Sequence, residues 1–152
     1  MIEEKIKELG LSLPEPSKPV GSYIPCKKVG NLVFLSGVIS EKKGKVGSDL
    51  TVEEGYEESK KVLLKLLSNL KEFLGSLDKV KEIVKVEGYV ASSENFYDQP
   101  KVINGASDTL FLIFGESGKH SRIAVGVKEL PLNSAIEISM IVEVYEWKEM
   151  RQ

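Results

Sequence analysis

Between residues 49 and 74 the chain carries its longest stretch of helical periodicity, and that stretch limits the folds open to it. Tyr56, Leu63, Leu66, Leu67, Leu70 and Phe73 recur at helical spacing, which places them on one face of a helix. Glu53 and Glu54 suit the positive end of its dipole, Asp49 and Thr51 both qualify as its cap, and Gly75 ends it. Burying side chains of this kind stabilises by about 1.5 to 3 kcal/mol each. A helix with so broad an apolar stripe must lie on a sheet, and the rest of the chain has to supply the strands.

The clearest strand spans residues 135–147. Ile136, Ile138, Met140, Val142 and Val144 share one face, and Glu137, Ser139, Glu143 and Tyr145 the other. The first face is core. The second is too polar to lie under a helix, yet Ile141 and Trp147 fall on it, a mixture expected where subunits meet around a wet cavity. Residues 23–29 and 32–39 read as two strands joined by a tight turn at Gly30-Asn31. The second is apolar on both parities and is expected to be covered on both faces, with Ser36 and Gly37 interrupting it. A glycine there marks either a close approach by another group or a bulge. Residues 83–91 and 122–127 are further strands. A second helix begins within residues 95–100, carries Val102, Ile103, Ala106, Leu110, Ile113 and Phe114, and ends at Gly115. The order β-β-(β)-α-β-α-β-β, with two helices on one face of a mixed sheet, is an α+β layer fold.

At 152 residues the chain is expected to form one domain, residues 1–152, burying about two thirds of the surface it exposes when unfolded. Residues 1–19 form an extension: an amphipathic helix over residues 2–9 stopped by Gly10, then a connector in which Pro14, Pro16 and Pro19 exclude helix and central strand. With a net charge of −2 and no basic block, the chain lacks the positive stripe that nucleic-acid binding requires. Cys26 is the sole cysteine, so no internal disulfide can form, and a small semi-buried residue is a better reading of it than a nucleophile. No cationic leader with an apolar segment and no membrane-length apolar run is seen, so the expected location is cytoplasmic, with no membrane partner.

Of 21 basic residues only two are arginines, Arg122 and Arg151. Arg122 stands inside an apolar strand just ahead of Leu130-Pro131. A guanidinium offers a planar fork of donors that pairs with a carboxylate through two parallel hydrogen bonds, which a lysine cannot do. A small anionic ligand is one reading of this residue; the other is an internal ion pair with a nearby glutamate or simply a half-exposed strand residue. His120 points the same way along an extended chain, toward an anionic ligand or, as a loop histidine, into water, the second being favoured. No nucleophile, metal or cofactor is implied.

The segment Arg122 to Val127, the Leu130-Pro131 pair and the Ile136-Glu137-Ile138 step, together with Gly21-Ser22-Tyr23 and residues 29–37 (VGNLVFLSG), resemble the signature blocks of the reactive intermediate deaminase (Rid, or YjgF-like) family over about residues 20–146. The resemblance implies a chorismate-mutase-like fold assembled as a homotrimer, with a central barrel of sheets and ligand clefts between subunits. It also implies site residues. Arg122 matches the family arginine that holds a substrate carboxylate, and Glu137 the acid that orients or activates water. Tyr23, Ser36 and Gly37 match cleft residues, and Asn104 a cleft asparagine. Ala124 stands where the family has a cysteine, which removes a thiol but keeps the backbone N–H. The implied partner is a small carboxylate-bearing metabolite, and the implied reaction is hydrolysis of a 2-aminoacrylate-like enamine or imine to a 2-keto acid and ammonia. The alternative is a binding or regulatory module of the same fold that holds a 2-keto acid without turning it over. Ribonuclease activity or translation inhibition, attached to some relatives, is disfavoured by the charge balance.

Overall fold

The computed structural model describes residues 1–18 and 21–146; Trp147 and Arg151 lie outside the described residues. Among the described residues three α-helices, α1 (Ile2–Glu8), α2 (Val52–Leu74) and α3 (Gln99–Phe114), and five strands, β1 (Cys26–Val29), β2 (Leu32–Ile39), β3 (Val80–Ala91), β4 (Ser121–Val127) and β5 (Ile136–Val144), follow the expected order without the bracketed strand. The sheet runs β1-β2-β5-β3-β4. Every pairing is antiparallel except β3 with β4, which are joined by α3, as a parallel crossover demands. This is the mixed α+β sheet expected from the sequence.

The core lies between one sheet face and the two long helices. Ile136, Ile138, Met140, Val142 and Val144 are all buried, as are Val33, Leu35, Val86 and Val90 on the same side. Leu63, Leu66, Leu67 and Leu70 of α2 and Val102, Ile103, Ala106, Leu110 and Ile113 of α3 meet them. α2 begins at a capping box: the Thr51 hydroxyl accepts from Glu54 N, and the Glu54 carboxylate accepts from Thr51 N. Asp49 is not the cap; its carboxylate instead accepts from Lys45 N and closes the turn ahead of the helix. Phe73 is exposed, because Leu74, one residue on, takes the inward position. The N-terminal extension is tied down. Ile6 is buried, and the Glu3 carboxylate accepts from Leu77 N at 2.6 Å. The proline-rich connector lies along α2, where its Ser17 N donates to Asn69 Oδ1.

Two strand expectations need correction. β1 starts at Cys26 rather than at residue 23, because Pro25 has no N–H to continue the ladder; the preceding turn carries Gly21 at φ +76°. β2 is interior to the sheet but covered on only one face. Its register sets Leu32 and Phe34 opposite Glu143 and Ile141, on the side away from the helices. There Leu32, Phe34, Ile123 and Val125 remain 37%, 41%, 39% and 41% exposed. Among the described residues nothing in this chain covers that face.

Candidate functional site

The candidate residues fall on two sides of the sheet. In β4, Arg122 pairs in register with Val86 and Ala124 with Gly88, both core-side positions, so the Arg122 side chain rises toward α3. There its Nη1 donates to Asn104 Oδ1 at 2.8 Å and to Ser107 Oγ at 3.2 Å. Asn104 and Ser107 are three residues apart on α3 and share a face. Among the described residues the other guanidinium nitrogens have no protein partner. The arginine is therefore held at one nitrogen with the rest of its fork unused. An internal ion pair, the second reading of Arg122, is not found among the described residues.

His120 completes this cluster and is not the water-facing loop histidine that was favoured. Its Nδ1 lies 2.6 Å from the Gly118 carbonyl oxygen and its Nε2 lies 2.8 Å from Ser107 Oγ. A carbonyl only accepts, so Nδ1 carries a proton. Burial lowers the pKa of the imidazole and the charge of Arg122 adds to this, against the opposing pull of the Gly118 carbonyl. The neutral ring thus leaves Nε2 as an acceptor for the Ser107 hydroxyl. Asn104, Ser107, Phe111, His120 and Arg122 line a cavity of about 490 Å³. Ser107 was not singled out in the sequence. Its signal was the three-residue spacing from Asn104 on a helix, combined with the two-residue spacing of His120 and Arg122 on an extended chain.

Glu137 occupies the open face. It pairs in register with Ile39 of β2 and Tyr89 of β3, and burial raises its carboxyl above the ordinary value. Gly37 is both of the things a strand glycine can be. The β2–β5 register shifts between Leu35 and Val38, which makes a bulge, and a Cβ on Gly37 would lie 2.4 Å from Glu137 Oε2. The carboxylate thus rests over bare backbone. Ser36 donates its hydroxyl to the Ile24 carbonyl at 2.6 Å and its N–H to the Pro25 carbonyl at 2.9 Å. These bonds hold the loop that carries Tyr23, whose side chain is 63% exposed.

Within one chain, then, Arg122 does not meet Glu137 across the Leu130-Pro131 turn. Arg122 stands with Asn104, Ser107 and His120 on the helix side, and Glu137 with Gly37 on the open side. Cys26 belongs to neither group: it is buried, and desolvation pushes its thiol up to about 11, so it stays protonated and unreactive. Among the described residues no cluster of His, Cys, Asp or Glu could hold a metal ion, and no helix is long and apolar enough to cross a membrane.

Comparison with known proteins bears on what this arrangement belongs to. The chain is similar to Protein TCP17 of Trypanosoma cruzi, 35% identical over 150 residues that span 94% of each protein. It is 31% identical over 134 residues to a 2-iminobutanoate/2-iminopropanoate deaminase of Dermatophagoides farinae, covering 88% of this chain and 94% of that protein. The crystal structure of Atu1372 from Agrobacterium tumefaciens, a protein of unknown function, superposes with a TM-score of 0.86 at 37% identity, over 94% of this chain and 91% of that one. The family model described as "YjgF/chorismate mutase-like, putative endoribonuclease" matches residues 3–144. With that model spanning nearly all of the described residues, and relatives aligned along almost their whole length, the chain belongs to the YjgF/Rid family.

Proposed function

We propose that this protein hydrolyses small reactive imines or enamines bearing a carboxylate, releasing a 2-keto acid and ammonia, in sites shared between the subunits of a homotrimer. The observation that carries the reading is the half-used guanidinium of Arg122. Asn104 and Ser107 fix its direction through one nitrogen, and the remaining N–H groups are free to take a carboxylate beside an open cavity. The reaction asks for little else. Water must be positioned and a proton moved, and a carboxyl with a raised pKa that lies over bare backbone suits both tasks. The deaminase named among the relatives acts on substrates of this kind. Arg122 and Glu137 lie on opposite faces of one chain, so a complete site takes the arginine from one copy and the glutamate from another. The uncovered apolar residues around Phe34 and Val125 provide a surface for that assembly.

The test is release of ammonia and keto acid from 2-imino acids generated in situ by an amino-acid oxidase. Wild type is expected to accelerate hydrolysis, and Arg122→Ala to lose most of the acceleration, ~10²-fold or more in kcat/KM, without a change in oligomeric state. The same separation of Arg122 from Glu137 favours a second reading, a binding module that holds a 2-keto acid. That reading holds if calorimetry finds keto-acid binding dependent on Arg122 while no imine is turned over.

A further inference from the structure

We propose that Ser107 and His120 form a nucleophile–base pair, so that the cavity beside Arg122 also carries out acyl transfer from small activated esters. Three observations meet at Ser107. Its Oγ is 2.8 Å from His120 Nε2, and the Gly118 carbonyl, 2.6 Å from Nδ1, holds the imidazole in the tautomer that leaves Nε2 able to take a proton. The Gly118 carbonyl thereby does what a third group must do in any such arrangement, which is to fix ring and tautomer. The cavity of about 490 Å³ opens onto both side chains, giving an acyl group room to approach.

The hydroxyl itself departs from the usual habit of a serine within a helix, which bonds back to the carbonyl four residues earlier. Thr109, on the same helix, does this to Gly105 at 2.7 Å. For Ser107 the corresponding carbonyl, that of Ile103, accepts from Ser59 instead, and the Ser107 hydroxyl is drawn out between His120 and Arg122. Arg122 Nη1 donates to Oγ at 3.2 Å, which favours the alkoxide that attack requires. Its unpartnered N–H groups belong to the same guanidinium that touches Oγ and would serve as donors to the oxyanion formed by attack. The lowered pKa of His120 keeps the base unprotonated at neutral pH.

The step balances without any group the cavity does not provide apart from the ester and water. Ser107 Oγ forms a bond to the ester carbonyl carbon as its proton passes to His120 Nε2. The tetrahedral intermediate collapses, the C–O bond to the alcohol breaks, and the alcohol leaves with the proton from Nε2. Water then gives a proton to Nε2 and attacks the acyl-serine, releasing the carboxylic acid as Oγ recovers its proton.

The experiment treats the full chain with a fluorophosphonate probe and locates the adduct by peptide mass mapping, with p-nitrophenyl acetate hydrolysis followed in parallel. One phosphonyl group on Ser107 is expected, together with p-nitrophenol release. Both should slow by ~10² or more in His120→Gln, the scale of a lost general base. The labelling rate should be flat above neutrality and fall as the pH drops through the range where His120 becomes charged. Ser107→Ala should give no adduct; should it not fold, Ser107→Cys keeps the shape of the site and should be alkylated by iodoacetamide in a His120-dependent way. An absent adduct, an adduct on another residue such as Tyr23, or equal labelling in a folded His120→Gln overturns the proposal. None of these readouts involves an imine, so the proposal can fail while the deaminase reading stands, and the reverse.

Discussion

Glu137, the acid of the proposed reaction, carries a cost to folding. Burial raises its carboxyl pKa above the ordinary 4.5, so the folded state holds the proton more tightly than the unfolded chain does. The ionised side chain therefore weighs against folding once the pH has risen past the folded value, and the effect vanishes below the unfolded value, where both states are protonated. Glu137→Gln is expected to raise the Tm near neutral pH and to leave it unchanged at pH values below the ordinary carboxylate range, as differential scanning fluorimetry across pH would record. The same change should lower kcat for imine hydrolysis by ~10²–10⁴. A variant that lost stability at neutral pH would contradict this assignment. At this scale the sequence was partly legible. The scarcity of arginine drew attention to Arg122, and strand alternation set Glu137 apart from the core. Ser107 escaped notice because a serine in a helix has no signature of its own. What defines it is the arrival of Arg122 in β4 and of His120 just ahead of that strand, more than a dozen residues later, a contact that only the packing of α3 on β4 creates.

Among the elements, α2 and α3 come backbone to backbone at Gly105. A Cβ there would lie 2.0 Å from the Tyr56 carbonyl oxygen, and since that atom is backbone, the helices themselves would have to separate. The Tyr56 hydroxyl donates to Asp108 at 2.9 Å beside the same contact. Gly105→Ala should therefore destabilise by about 1–3 kcal/mol or more, even though alanine is the better helix former; urea unfolding would measure it. A gain in stability would mean that the helices have slack. The elements were the most legible part of the chain. Periodicity found both long helices and the alternation of β5, because burial on one face writes itself into every second or every third and fourth residue. Boundaries were less legible. Pro25 removed three residues from β1, and Asp49 was drawn into a turn before the helix. The expectation that β2 is covered on both faces went astray for a different reason: residues such as Leu32 and Phe34 look buried in a sequence whether their cover comes from their own chain or from another.

For the whole molecule, the separation of the two groups of residues makes assembly a requirement of the proposed reaction. If each site takes Arg122 from one copy and Glu137 from the next, two inactive variants should repair one another. Chains carrying Arg122→Ala and chains carrying Glu137→Gln, unfolded together and refolded as a mixture, should recover about a quarter of wild-type activity, the share of neighbouring pairs in a randomly mixed ring that place both intact residues in one site. No recovery in mixed oligomers, verified by native mass spectrometry, would show that each site draws on one chain alone. The strand order has a consequence of another kind. β5 sits between β2 and β3, yet it is the last of the five strands to leave the ribosome. Until residue 144 emerges, the growing chain holds a β1–β2 ribbon and a β3–β4 pair whose inner edges have no partner, each offering unpaired backbone groups and apolar side chains to any neighbouring chain. The hazard of going astray is thus greatest late in synthesis, and it ends when a single nine-residue segment slides into the gap and joins the two halves.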